Sequence, residues 1–177
     1  MIYTVCAGHS DADPGNLGGG RREAVLMVEL RDLVASRLRA LGHTVRTDGE
    51  HRLNWPLTRA VTLIAGADLA VELHTNAAGA PGARGVEVIA LPARQRESQA
   101  LAAAIAGVLQ IPLRRVAGWF PADTHRLERG WYRPAAFARH GGLIVETFFQ
   151  SNPHELAAYL VQREALADAI AGAMIAT

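Results

Sequence analysis

The chain has 177 residues, half of them apolar, and a formal net charge of +1 from 18 basic and 17 acidic side chains. That length and apolar content suit a single domain spanning 1–177 with one core. The balanced charge excludes the strong field of a nucleic-acid binder or of a protein held on an anionic membrane.

Ile2 to Ala7 is a nearly continuous apolar run closed by Gly8, the pattern of a buried strand in a parallel sheet. A glycine-rich loop, Gly15 to Gly20, follows. From Arg21 to Leu41 the residues Met27, Leu30, Val34, Leu38 and Leu41 recur at helical spacing, and Gly42 supplies the stop. Thr44 to Thr47 reads as a second strand, Pro56 to Gly66 as a second helix and Leu69 to Thr75 as a third strand. Gly85 to Leu91 is a further strand, Arg94 to Leu109 a helix ended by Pro112, and Gly142 to Phe149 a last apolar strand. Asn152, Pro153 and Glu155 then stand as N-cap, first-turn proline and capping-box acid of a C-terminal helix. Leu113 to His140, rich in Arg, Pro, Gly and aromatics, has no clean period and reads as a long functional loop or irregular subdomain. The alternation predicts an α/β three-layer sandwich, a mostly parallel or mixed central sheet with helices on both faces.

In such sheets the ligand crevice lies beyond the carboxyl ends of the strands. His9 lies just past the first strand, His74 near the end of the third and Glu146 toward the end of the last, so they converge on one edge. Glu23 joins them if the first helix begins near Arg21. The lone Cys6 excludes an internal disulfide and a Cys-rich metal site, so a metal would take His and carboxylate ligands. Two imidazoles and a carboxylate are the ligand type of a catalytic zinc, Zn2+, that keeps one position for water, and the second carboxylate is then available as a base. A lone His or Glu at a strand end is more often a surface or capping residue. Glu146, however, interrupts an apolar run, Leu143, Ile144 and Val145 before it and Phe148 and Phe149 after it, where an unpaired carboxylate costs several kcal/mol.

Five blocks in order and spacing, AGHSDADPG (Ala7 to Gly15), RREA (Arg21 to Ala24), VELHTNA (Val71 to Ala77), GVEV (Gly85 to Val88) and LIVETFFQSNPHE (Leu143 to Glu155), resemble the zinc-dependent N-acetylmuramoyl-L-alanine amidases of phage endolysins and bacterial autolysins. The resemblance covers most of the chain; Leu113 to His140 matches poorly. It implies His9, Glu23 and His74 as zinc ligands, Glu146 as catalytic base, and peptidoglycan as substrate, cut between N-acetylmuramic acid and L-alanine. Ser10 stands after His9, where that family often has glycine. Alternation puts Glu72, His74 and Asn76 on one strand face, so Glu72 or Asn76 could orient a ligand, with Glu87 a further candidate.

A rival metal site is the H-x-x-E pair His125 and Glu128, with His140 completing the set, but it lies in an aperiodic stretch with no strand end to hold it. Trp119, Phe120, Trp131 and Tyr132 could stack on a sugar or pack a small local core. His43, His51 and His154 read as surface or capping residues. The alternative functions are a zinc carboxypeptidase-like hydrolase acting on the stem peptide and a catalytically inactive wall-binding protein. The N-terminus lacks the pattern of a secretory signal, and no apolar stretch is long enough to span a bilayer. The expectation is a monomer, cytoplasmic at synthesis, without stable membrane insertion or nucleic-acid partner. A phage or prophage endolysin released through a holin-type lesion is the favoured context, an exported autolysin the second.

Overall fold

The computed structural model describes residues 1–80, 82–122 and 135–177. Strand β1 (Ile2–Ala7) leads into a two-stranded hairpin, β2 (Leu17–Gly18) and β3 (Arg21–Arg22), and then helix α1 (Glu23–Ala40). Strand β4 (Thr44–Thr47), helix α2 (Leu57–Ala60) with a following 3-10 turn, strand β5 (Leu69–Asn76), strand β6 (Glu87–Ala90) and helix α3 (Gln95–Leu109) come next. Strand β7 (Trp119–Pro121), the short helix α4 (Ala136–Arg139), strand β8 (Leu143–Phe149) and the long helix α5 (Pro153–Ala176) complete the order.

Six strands form one sheet in the order β4-β1-β5-β8-β6-β7. The first four run parallel; β6 is antiparallel to β8, and β7 is parallel to β6. The carboxyl ends of β1, β5 and β8 therefore share an edge with the amino ends of β6 and β7. One face, with Val5, Val71, Leu73, Val145 and Val88, packs with apolar residues of α1, α3 and α5 into the larger core. The opposite face, with Cys6, Ala70, Ile89 and Ile144, is covered by Ala60 of α2 and by Phe137 and Ala138 of α4. Each fully buried Val or Leu contributes about 1.5–3 kcal/mol, so the larger face dominates stability. Helices on both faces of a mixed sheet are the architecture that the sequence predicts.

Several local expectations are corrected. Leu41 falls one residue past α1 and is 62% exposed, because the helix ends at Ala40 and the chain turns through Gly42 at φ +82°. Gln110, in the left-handed region at φ +55°, ends α3 before Pro112 is reached. The helix expected over 56–66 is only α2 and its 3-10 turn. Asn152 does cap α5, accepting from the backbone N–H of His154 at 3.0 Å, with Pro153 in the first turn. Glu155 is no capping-box acid; its two oxygens accept from the N–H groups of Gly85 and Phe149, each at 2.7 Å, and join the approach to β6 to the end of β8. The aperiodic stretch supplies β7, whose Trp119 and Phe120 pack: Phe120 is buried, and the Trp119 indole donates to Ala90 O at 3.2 Å. His125, Glu128, Trp131 and Tyr132 lie outside the described residues.

The end of β1 is fixed by a buried ion pair. Arg31 of α1 and Asp48, just after β4, are both fully buried, with Arg31 Nη1 at 3.0 Å from Asp48 Oδ1. Asp48 accepts from Ala7 N at 3.1 Å, and Asn54 donates to Gly8 O at 3.0 Å, so both residues before His9 are held. Burial pushes the Asp48 carboxyl up to about 6, with the Arg31 guanidinium pulling the other way. Arg31→Met is expected to lower the unfolding free energy by about 3–5 kcal/mol, because it strands a buried carboxylate. Adding Asp48→Asn should recover most of that loss in urea denaturation, and a double variant as unstable as the single one contradicts this account.

Candidate functional site

Glu23 is the first residue of α1, and its side chain is fully buried. Asn16 N donates to its Oε2 at 2.9 Å and Thr75 N to its Oε1 at 2.7 Å. These N–H groups and the start of α1 favour a carboxylate at that spot. The hairpin that delivers Glu23 is itself tied to the sheet. Gln150, just past β8, donates from Nε2 to Arg21 O at 2.9 Å and accepts from Thr75 Oγ1 at 2.8 Å.

Two imidazoles meet this carboxylate. His9 Nε2 stands 3.0 Å from Glu23 Oε2, and His74 Nδ1 stands 3.2 Å from Glu23 Oε1. The two rings are edge to face, with centroids 5.1 Å apart. Among the described residues, His9, Glu23 and His74 form a group positioned to hold a metal ion, each offering one ligand atom, all within 4.8 Å of one another. The surroundings leave no room for bulk. A Cβ on Gly8 would run into the His74 ring, and one on Gly15, at φ +66°, would lie 2.5 Å from His9 Cδ2 and 2.7 Å from Glu23 Oε2. His9 itself sits at φ +69°, a strained conformation for a non-glycine residue, of the kind found where function fixes the backbone.

The outward nitrogen of each ring also meets a carboxylate. Asp13 Oδ2 is 3.0 Å from His9 Nδ1, and Glu72 Oε2 is 3.2 Å from His74 Nε2. A carboxylate there orients the ring and makes the other nitrogen a better donor to a metal. The pairing selects opposite nitrogens, Nε2 on His9 and Nδ1 on His74. Burial alone would raise the Glu23 carboxyl, yet the His74 and His9 rings hold it well below the usual carboxylate range. Burial would likewise lower His74, but Glu23 and Glu72 lift it well above the ordinary histidine value, and Glu23 and Asp13 lift His9 in the same sense. Three carboxylates around two imidazoles favour positive charge between them, whether carried as protons or as a divalent cation.

Glu146 on β8 is in register with His74 on β5 and with Glu87 on β6, one strand to either side. The sequence-predicted four, His9, Glu23, His74 and Glu146, thus share one edge, with Glu146 beside the three-residue group. Glu72 reaches a ring, as alternation suggests. Asn76 does not: the register shifts between His74 and Asn76, and the Asn76 amide donates to Glu87 at 2.9 Å instead. Glu87 touches neither imidazole; it is paired with Arg114 and Arg115. Asp13 lies outside the sequence-predicted set, and its i+4 spacing from His9 is the signal that points to it. His140 ends α4, exposed, with Nδ1 2.8 Å from Ala136 O; His51 and His154 are exposed, and His43 stands edge-on to Tyr3.

Fold and site together define an α/β protein with a His–Glu–His donor cluster at the carboxyl edge of a mixed sheet. Residues 4–176 match the family model described as N-acetylmuramoyl-L-alanine amidase, and the chain belongs to this family of peptidoglycan amidases. A Neisseria meningitidis protein, provisionally named an N-acetylmuramoyl-L-alanine amidase, is 39% identical over 99% of this chain and 94% of its own, with a TM-score of 0.87. Two others show the fold alone. The amidase AmiC2 of Nostoc punctiforme is 19% identical over 99% of this chain and 96% of its own, with a TM-score of 0.79. The catalytic domain of the CD27L endolysin, which targets Clostridia difficile, is 19% identical over 100% of this chain and 98% of its own, with a TM-score of 0.68. No curated protein matches the chain.

The tight approach of Gly8 to His74 generates a prediction. Gly8→Ala must push the His74 ring away from Glu23, so affinity for an added divalent metal ion, measured by competition with a chromophoric chelator, is expected to fall by about 10- to 100-fold. Unchanged affinity contradicts the geometry.

Proposed function

We propose that the protein is a zinc-dependent N-acetylmuramoyl-L-alanine amidase in which His9, Glu23 and His74 hold the ion and Glu146 is the catalytic base. The observation that carries this reading is the buried Glu23 carboxylate placed between two imidazoles, each backed by a second carboxylate. Bound there, zinc would polarise the lactyl carbonyl of the muramic acid amide and lower the pKa of water at the site.

The chain's own groups do the rest. Asp13 and Glu72 hold the two rings in the tautomers that present Nε2 of His9 and Nδ1 of His74. Glu146, one strand from His74 and half-buried, takes a proton from the attacking water and returns it to the departing L-alanine nitrogen. That transfer leaves a neutral amine on the peptide and a carboxylic acid on the muramic acid, whose remaining proton then passes to the amine to give carboxylate and ammonium, so atoms and protons balance.

Glu146→Gln is expected to reduce hydrolysis of purified, dye-labelled walls by about 10²- to 10⁴-fold, with zinc affinity close to that of the unaltered protein. Chelator should abolish the activity of the unaltered protein, added zinc should restore it, and the product should be a stem peptide with a new L-alanine amine. Release of single terminal amino acids would instead favour a carboxypeptidase, and a fully active Glu146→Gln protein would remove the assigned base.

A further inference from the structure

On the side of His9 away from Glu146 the protein opens into a cleft of about 640 Å3 that the proton transfers do not use. Three separate stretches supply its walls: Asp11 just after His9, then Leu17, Arg22 and Val25 of the hairpin and α1, and Arg52 and Asn54 between β4 and α2. The first and third stretches are joined through the backbone. Asp11 N donates to Asn54 O at 3.1 Å, and Asn54 N donates back to the Asp11 carboxylate at 3.2 Å. Because Asn54 also donates to Gly8 O, the cleft is anchored to the same strand end that carries His9.

Asn54 is 2% exposed, and its Oδ1 is a buried acceptor with no hydrogen-bond partner among the described residues. An acceptor left in that state costs about 1–3 kcal/mol, which a ligand hydroxyl or amide N–H reaching it through the cleft wall would recover. His51 and Arg52 both take left-handed backbone, at φ +54° and +73°. Such residues cost about 1–3 kcal/mol each and collect where a ligand is clamped. Leu17 and Val25 are 74% and 52% exposed, so two large apolar side chains face the cleft, while neither the Arg22 nor the Arg52 guanidinium has an ion-pair partner among the described residues. Apolar walls with a few polar groups, in a volume of about 300–1,000 Å3, are the make-up of a small-molecule site.

We propose that this cleft is the subsite for the saccharide on the acyl side of the scissile amide, holding the muramoyl ring and the sugar joined to it. The inference rests on the amidase reading, in which the two halves of the substrate are those of the family description, an N-acetylmuramoyl group and an L-alanine amine. Strand order gives each half its direction. β8, with Glu146, flanks β5 on one side, and β1, which leads to His9, flanks it on the other. The acid that protonates the departing nitrogen must come within about 2.6–3.2 Å of it, so the amine half lies over β8. The acyl half then leaves the His9–Glu23–His74 group over β1, where the cleft begins. A pyranose ring offers C–H faces to Leu17 and Val25, and its hydroxyl and acetamido groups meet Arg22, Arg52 and the Asn54 acceptor at the rim.

The test compares soluble substrates that carry the same peptide on a single N-acetylmuramoyl residue or on a short glycan chain, and reads the new L-alanine amine by mass spectrometry. The unaltered protein is expected to cleave the glycan-chain substrate with a kcat/KM about 10- to 100-fold higher, mainly through KM. Arg52→Gln and Leu17→Ser, both at exposed positions, should together bring that ratio close to one. Peptide-free glycan chain added to the zinc-loaded protein should shift the amide NMR signals of Asp11, Leu17 and Val25, and should no longer do so in the paired variant. Equal kcat/KM for the two substrates, or a ratio unchanged in the paired variant, overturns the subsite and leaves the amidase reading standing. So does a dependence on peptide length that the paired variant abolishes, which would seat the peptide half in the cleft. Failure to release the L-alanine amine from either substrate overturns both.

Discussion

Burying a carboxylate without a cation costs several kcal/mol, and Glu23 is buried completely at the start of α1. Its two oxygens face two imidazoles that arrive from different strands, His9 from the turn after β1 and His74 from β5. The remaining lone pairs are taken by backbone N–H groups of Asn16 and Thr75. Everything near this point reads as a consequence of holding that charge: the hairpin that carries the chain back to α1, the Gln150 bonds that tie the hairpin to β8, and the two glycines that let the rings close on the carboxylate.

The support lies mostly on the rigid side of the molecule. Arg31 and Asp48 lock Ala7, Asn54 locks Gly8, and the large core under β1, β5 and β8 keeps their carboxyl ends in register. A set of ligands must be held to within about 0.5 Å to work, and strand ends on a packed sheet do this better than loops. Charge then grades along the edge, from the carboxylate-rich pocket of Glu23, Asp13 and Glu72, through Glu146, to the arginine pair on Glu87.

Much of this is legible in the residues. The largely apolar strands β1, β5 and β8 fall within a residue of their expected bounds, because burial on both faces leaves a strong signal. The position of His9, His74 and Glu146 on one edge follows from strand order alone. What escapes the sequence depends on contacts between distant segments. β7 has only three residues and ends in proline, so it forms by pairing with β6 and not by its own pattern. Asn76 looks like a partner of His74 by alternation, but an irregularity between them sends it to Glu87. Glu155 has the spacing of a capping box, yet two unpaired backbone N–H groups from elsewhere capture it. The convergence of Arg114 and Arg115 needs left-handed backbone that no local rule assigns to arginine or alanine.

The proposed ligand set is tested most directly by X-ray absorption at the zinc edge on protein reconstituted with one equivalent of the ion. The account predicts two imidazole nitrogens at about 2.0–2.1 Å and carboxylate oxygen at about 2.0–2.2 Å, with one imidazole lost in His9→Ala and one lost in His74→Ala. A sulfur ligand at about 2.3 Å, or a spectrum unchanged by both substitutions, would place the ion elsewhere and contradict it.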